Sequence, residues 1–296
     1  MTDAKKINEV AGCLVNNERK FLMDYCRDQY TGRGEIVDLG CFLGSSTYAM
    51  AYGLEANTQV ADKAKRVHAY DRFQWNKWMD RPAARYELGR EFEENECFAD
   101  EFERQMDDKL PFINTVKADL TKTVWDHPNH IEYLFVDSMK DWRLCNNIIS
   151  GFYPAMKPGE SFLHHQDYVF FQIHWIHLTM FRMRDYFESL DHDYMGPSKV
   201  FRYTKQLPAE MMQKDYSIDD FSTEEIVEAF EYAKGVVRPE GQAALAGAKI
   251  HALIEKREFQ RADALLAETT EKHAALTSNP VFQNSVARLQ ERSKAA

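Results

Sequence analysis

The most informative stretch of the chain is Val37-Asp38-Leu39-Gly40-Cys41-Phe42-Leu43-Gly44-Ser45-Ser46-Thr47. It overlaps the short β-rich run at residues 35–39 and leads into residues 45–54, whose alanines, methionine and leading hydroxyl residues predict a capped helix. Glycines in a strand–turn–helix unit allow the backbone to approach a ligand at the helix N-terminus. The alternative interpretation is a plain glycine turn that only joins a strand to a helix.

Further β-rich runs recur along the chain and alternate with stretches that have helical periodicity. Alternation of this kind predicts an α/β fold with a doubly wound, mostly parallel sheet. We expect the last run to close the sheet edge, after Tyr194. The predicted strands are residues 66–70, 113–118, 131–136, 160–164 and 199–205, and the longest predicted helices between them are residues 141–156 and 172–187.

Composition divides the chain into three parts. Residues 74–110 are highly charged but carry six interleaved aromatic side chains, which predicts an inserted helical cap. The α/β domain is expected to cover residues 1–207. Residues 208–296 have helical periodicity and no strand signal, so we predict a helical C-terminal region there.

The overall composition excludes several functional classes. A net charge of −10 and the absence of a dense basic run argue against a nucleic-acid partner. The first 17 residues lack the apolar core of a secretory signal, and no stretch approaches about 18 consecutive apolar residues. We therefore expect no membrane association and a cytoplasmic protein. The chain does not reveal whether it forms a homo-oligomer.

The spacing of the first glycine turn is G-x-x-x-G, with Asp38 just before it, and Asp71 follows the second predicted strand. These residues resemble motif I and the following acid of the class I S-adenosylmethionine-dependent methyltransferases. The resemblance implies a Rossmann-like, seven-stranded sheet, a glycine turn that accommodates the methionine part of the cofactor, and an acid at position 71 that binds the ribose. The cofactor-binding residues implied in this way are Asp38, Gly40, Gly44, Ser45, Ser46, Asp71, Arg72, Phe73, Asp119, Leu120 and Asp137. Each acid taken singly also fits a helix cap or a solvated turn.

Within that family, residues 30–205 are most similar to O-methyltransferases that act on the sugars of macrolide antibiotics and to related cephalosporin-cluster enzymes. The resemblance implies a divalent metal such as Mg²⁺ held by Asp137, Gln166 and Asp167. Gln166 departs from the acidic pattern of the family, so this site should bind metal more weakly. The alternative is that Asp167 caps a helix that starts near Val169.

The proton acceptor has three candidates. His164 and His165 end the fifth predicted strand and point to opposite faces, so one of them is expected to face the crevice. Asp137 is the rival general base. The alternative for both histidines is a structural role.

The function predicted from these residues is transfer of a methyl group from S-adenosylmethionine to a hydroxyl of a sugar, a polyketide or another small acceptor. A non-catalytic binding or scaffold protein that uses residues 208–296 is the competing hypothesis, favoured by Gln166. The G-x-x-x-G spacing argues against a nicotinamide-dependent oxidoreductase.

Overall fold

The computed structural model describes residues 3–191 and 196–295 and contains one seven-stranded sheet in an α/β fold. Along the sheet the strands stand in the order β3-β2-β1-β4-β5-β7-β6. Neighbouring pairs among the first five strands are parallel, and β7 runs antiparallel to both β5 and β6. The strands are β1 (Glu35–Leu39), β2 (Val67–Asp71), β3 (Ile113–Lys117), β4 (Ile131–Val136), β5 (Phe162–His165), β6 (Phe187–Leu190) and β7 (Lys199–Tyr203).

Thirteen α-helices surround the sheet in the described part of the chain, and none of them is long and apolar enough to cross a membrane. Short 3₁₀ turns lengthen several of them. The helices are α1 (Asp3–Glu9), α2 (Asn16–Asp28), α3 (Ser45–Ala56), α4 (Asp80–Ala83), α5 (Ala99–Met106), α6 (Trp142–Phe152), α7 (His174–Arg182), α8 (Ala209–Met212), α9 (Thr223–Val236), α10 (Gln242–Glu255), α11 (Phe259–Lys272), α12 (Ala274–Thr277) and α13 (Pro280–Ala295).

The mostly parallel sheet confirms the predicted α/β class, but its far edge differs from the prediction. The last predicted strand does not close the edge, because β7 lies between β5 and β6. The edge strand is β6, whose residues the sequence assigned in part to the end of a helix at 172–187. That helix, α7, ends at Arg182, and a 3₁₀ turn leads into the β6–β7 hairpin. Tyr194 lies outside the described residues.

The central strands are buried on both faces. Every residue of β1 and of β4 is buried, because helices cover both sides of the sheet. Each of the two strands also carries buried acids, Glu35 and Asp38 in β1 and Glu132 in β4. The carboxyl ends of β1 and β4, together with that of β2, meet at one edge of the sheet.

The insertion at residues 74–110 contains two short α-helices, α4 and α5, and 3₁₀ turns at Lys77–Met79 and from Asp107 onward. Its aromatic side chains pack together: the rings of Phe73 and Phe102 lie 5.2 Å apart, and those of Trp75 and Phe92 stack at 4.8 Å. These rings belong to one continuous cluster with Ile36 of β1 and Phe135 of β4, so the cap is packed onto the core of the sheet.

The described chain after residue 207 contains helices joined by short loops and no strand. Its apolar side chains do not form a separate core. Phe221, Phe230 and Leu253 belong to one continuous cluster with Leu134 of β4 and Tyr168 after β5. The C-terminal helices therefore cover one face of the α/β body.

Two glycines in helices make a test of this packing. A methyl group on Gly53 would lie 2.1 Å from the carbonyl oxygen of Met23, because α2 and α3 are in close contact, whereas nothing lies within 4 Å of that position at exposed Gly235. We expect Gly53→Ala to lower the free energy of unfolding by about 1–3 kcal/mol. Gly235→Ala should raise it by up to about 1 kcal/mol. Urea unfolding of both variants checks this pair, and equal effects would contradict the packing.

Candidate functional site

The turn between β1 and α3 is held in an unusual backbone conformation by Asp71. Gly40, Phe42 and Gly44 all have positive φ angles, of 92°, 48° and 100°. Such a value is uncommon for a residue other than glycine. The amide of Phe42 donates to Asp71 Oδ2 at 3.0 Å, and the amide of Phe73 donates to Oδ1 at 2.8 Å. Burial raises the pKa of Asp71, and these amide donors oppose the shift.

Asp38 binds the start of α3 rather than facing a crevice. The hydroxyls of Ser46 and Thr47 donate to Asp38 Oδ2 at 2.8 and 2.6 Å. These hydroxyls were expected to cap α3, but its N-cap is Gly44, and no side chain caps the helix. Asp38 is completely buried, which raises its pKa to about 7, and its Oδ1 atom has no hydrogen-bond partner in the described residues.

The space beside each glycine of the turn is filled by protein. A methyl group on Gly44 would lie 2.4 Å from Cε of Met106, at the end of the cap helix α5. A methyl group on Gly40 would lie 3.0 Å from the carbonyl oxygen of Asp137, so the turn also touches the end of β4. Ser45 is covered in the same way by Gly12. The two glycines therefore allow the turn to pack closely against the cap and the end of β4. The turn contacts both Asp71 and Asp137.

The segment between α1 and α2 crosses this region because a buried arginine holds it. Arg19 donates to the carbonyl oxygens of Ile7, Val10 and Leu14 at distances of 2.6–3.1 Å. Its remaining nitrogen donates to the hydroxyl of Tyr86 in the cap at 2.8 Å. The N-terminal segment and the cap are thus tied together over the turn.

The other expected cofactor residues have different surroundings. Asp119 accepts hydrogen bonds from the backbone and the hydroxyl of Thr121, which lower its pKa, and Leu120 is buried in the core. Arg72 is exposed, whereas the ring of Phe73 is fully buried among the aromatics of the cap. Asp119 therefore closes a turn after β3, and the Phe73 ring does not offer a face to a ligand.

The structure brings Asp137, Gln166 and Asp167 together around a lysine. Lys140 Nζ donates to Asp137 Oδ1 at 2.6 Å and to a carboxylate oxygen of Asp167. The network is satisfied when the amide nitrogen of Gln166 faces the acids, donating to Asp167 Oδ1 at 2.8 Å and to Asp137 Oδ1 at 3.1 Å. Burial lowers the pKa of Lys140, but the two carboxylates outweigh it and raise the pKa above its usual range.

This arrangement does not fit a divalent metal. The ammonium group of Lys140 lies between the two carboxylates, where it supplies the positive charge that a metal ion would otherwise supply. Gln166 presents donors to the acids, whereas Mg²⁺ requires oxygen ligands. Asp167 does not cap a helix either, because α7 begins only at His174.

Neither histidine of β5 faces the crevice, contrary to expectation. They do point to opposite faces of the sheet, but both are about 1% exposed. His164 Nδ1 lies 2.6 Å from the hydroxyl of Tyr133, in an aromatic cluster under α2. His165 lies 3.3 Å from the hydroxyl of Tyr153, and burial lowers its pKa to about 3. The burial of both side chains favours the structural alternative.

Sequence reasoning missed two members of this region. Lys140 is not among the predicted site residues, although its spacing of three residues from Asp137 permits an ion pair. Glu18 of α2 is buried beside the same acids and accepts hydrogen bonds from the Val15 amide and the Ser198 hydroxyl. No local signal marks Glu18, because its partner Ser198 lies 180 residues further along the chain.

No protein-family model and no curated protein matches this sequence.

The buried carboxylate of Asp38 predicts a pH-dependent stability. Because its folded pKa of about 7 lies above the value of an unfolded aspartate, its contribution is present at low pH and is lost as the pH rises from about 4 to 7. The free energy of unfolding of wild type should therefore fall by on the order of 3 kcal/mol, relative to that of Asp38→Asn, over that pH interval. Urea unfolding at several pH values measures this difference.

Asp119→Asn is the matched control for that experiment. The pKa of Asp119 is lowered in the folded protein, so its pH dependence has the opposite sign. Its contribution to stability is present above the unfolded pKa and is lost as the pH falls through the folded pKa. A wild-type minus Asp38→Asn difference that does not vary with pH would contradict the assignment.

The Lys140 network predicts how the site responds to metal. Lys140→Ala leaves two carboxylates facing each other. We expect the free energy of unfolding to fall by roughly 1–3 kcal/mol, a modest value because solvent screens the partly exposed lysine. Millimolar Mg²⁺ should raise the melting temperature of this variant and leave wild type unchanged. Lys122→Ala, which removes an exposed lysine 3.9 Å from Asp119, is the control. Equal Mg²⁺ stabilisation of wild type would overturn this view of the site.

Proposed function

We propose that this protein is an S-adenosylmethionine-dependent O-methyltransferase that acts on a hydroxyl of a sugar, a polyketide or another small acceptor. The observation that carries the proposal is the position of the G-x-x-x-G turn, which contacts Asp71 at the end of β2 and Asp137 after β4. The seven-stranded sheet with one reversed strand is compatible with the Rossmann-like fold of that family.

The electrostatics of the turn favour a cationic ligand. Burial raises the pKa values of Asp38, Asp71 and Asp137, so ionising all three in one region is costly. The cofactor carries positive charge on its sulfonium and on its amino group. Binding such a ligand would lower the cost of keeping these carboxylates ionised.

Binding requires the cover over the turn to move. Met106 of the cap and Gly12 of the N-terminal segment lie against Gly44 and Ser45, so we propose that these two elements separate when the cofactor enters. The indole of Trp78, at the rim of the cap, is 60% exposed and lies 5.7 Å from the Phe42 ring. Its free face is our candidate for packing against the adenine.

The chemistry of the transfer needs little machinery. A sulfonium methyl is already activated, so the protein has to align the acceptor hydroxyl and take its proton. With both histidines buried, the Asp137 carboxylate is the best-placed proton acceptor, and the neighbouring Lys140 ammonium would stabilise the developing oxyanion. This assignment requires no metal ion.

Calorimetry with S-adenosylhomocysteine tests the proposal. We expect binding to wild type, and a loss of about tenfold or more in affinity for Asp71→Ala and for Trp78→Ala. Trp78→Ala is informative because the side chain is mostly exposed, so its removal should not unfold the cap. Asp62→Ala, an exposed acid before β2, is the control.

No binding of the product cofactor by wild type at about 1 mM would rule out the methyl-donor assignment. Binding without methylated product on any hydroxylated acceptor would instead favour the competing scaffold function.

A further inference from the structure

A large cleft lies beside the Lys140 network, on the side of the C-terminal helices. Its volume is about 860 Å³, within the range of small-molecule sites. One wall is the β4–α6 loop and the start of α6, from Lys140 to Trp142, and the start of α7 with His174. The opposite wall is the end of α10 and one face of α13. The cleft exists only because residues 208–296 fold onto the α/β body.

The inner wall of the cleft is rigid and partly aromatic. Glu255 at the end of α10 accepts a hydrogen bond from the Trp142 indole at 2.9 Å, and its other oxygen lies 2.8 Å from His174 Nε2. The Trp175 indole donates to the Met139 carbonyl oxygen at 2.7 Å. His174 and Trp175 are buried, so these bonds hold the half-buried Trp142 indole as the ring available to a ring-shaped ligand.

The outer wall carries three arginines without a close ion pair. Arg257, Arg288 and Arg292 line the cleft, and within residues 3–191 and 196–295 none of them lies within ion-pair distance of an acid. The three acids of the cleft have other hydrogen-bond or charge partners, although the positive charge of Arg292 also helps to lower the pKa of Glu255. Glu255 binds Trp142 and His174, Asp219 lies 3.8 Å from Lys256, and Asp141 accepts a hydrogen bond from the Leu144 amide. The whole chain has a net charge of −10, whereas basic side chains outnumber acids in this cleft.

We propose that this cleft binds an anionic small molecule, with its phosphate or carboxylate group on the arginines and its ring against Trp142. Guanidinium groups bind the oxygens of both anions in a bidentate manner. Resting on the proposed function, the bound molecule is the methyl acceptor: its hydroxyl lies at the Lys140 end of the cleft, where Lys140 connects the cleft wall to Asp137. The acceptor is therefore selected by the C-terminal helices, rather than by the cap at residues 74–110.

Calorimetry with two probes, inorganic pyrophosphate and citrate, tests the cleft directly. We expect both to bind wild type and to lose about tenfold or more in affinity for the double variant Arg257→Gln/Arg288→Gln. Both arginines are exposed, so the variant should remain folded. The control is Arg261→Gln, on α11 outside the cleft, for which the affinity should change by less than about twofold.

The outcomes separate this inference from the proposed function. Failure of both probes to bind at about 10 mM, or equal binding by wild type and the double variant, overturns the anion site even if S-adenosylhomocysteine binds. Arginine-dependent binding of the probes without any binding of S-adenosylhomocysteine supports the anion site and removes its role as the acceptor site.

Discussion

The structure depends on the hydrogen bonds that two buried carboxylates make with the turn after β1. Asp38 accepts hydrogen bonds from the hydroxyls of Ser46 and Thr47, and these bonds fix the first turn of α3 to β1. Asp71 accepts a hydrogen bond from the amide of Phe42, and this bond helps Phe42 to keep a positive φ angle between two glycines. A backbone strained in this way persists only where its surroundings determine it, and here the neighbouring strand does so. The turn consequently touches the ends of β2 and β4 together.

Charge compensation organises the neighbouring edge of the sheet. Lys140 lies between Asp137 and Asp167, and Gln166 donates to both acids, so the chain itself supplies one positive charge and further hydrogen-bond donors to this pair. A cluster of two acids without such a partner would need an external cation, because unpaired carboxylates out of water are costly. An amide at position 166 is consistent with this arrangement, because a third carboxylate there would add negative charge that the single lysine could not balance.

The C-terminal helices are part of the body of the protein. Their apolar faces share one core with β4 and with the residues after β5, and α10 reaches back to the start of α6 through Glu255. This contact creates a cleft with basic residues on its outer wall beside the acidic end of the sheet. The cap, by contrast, is tied to the N-terminal segment through Arg19 and Tyr86 and covers the glycine turn. The two additions to the sheet therefore have different positions: one covers the turn and the other forms a cleft next to it.

The sequence alone determined the α/β class, the strands β1 and β4, and the placement of Asp38, Asp71 and Asp137 at strand ends. Strand periodicity and glycine turns are local properties that neighbouring residues fix. The sequence did not reveal the β6–β7 hairpin, the burial of His164 and His165, or the role of Glu18, whose partner is 180 residues away. Alternation along β5 predicted that the two histidines diverge, but only the helices packed on each face decided that both are buried. The ion pairs of Lys140 likewise depend on strand order, because β4 and β5 must be neighbours before Asp137 and Asp167 can share one ammonium group.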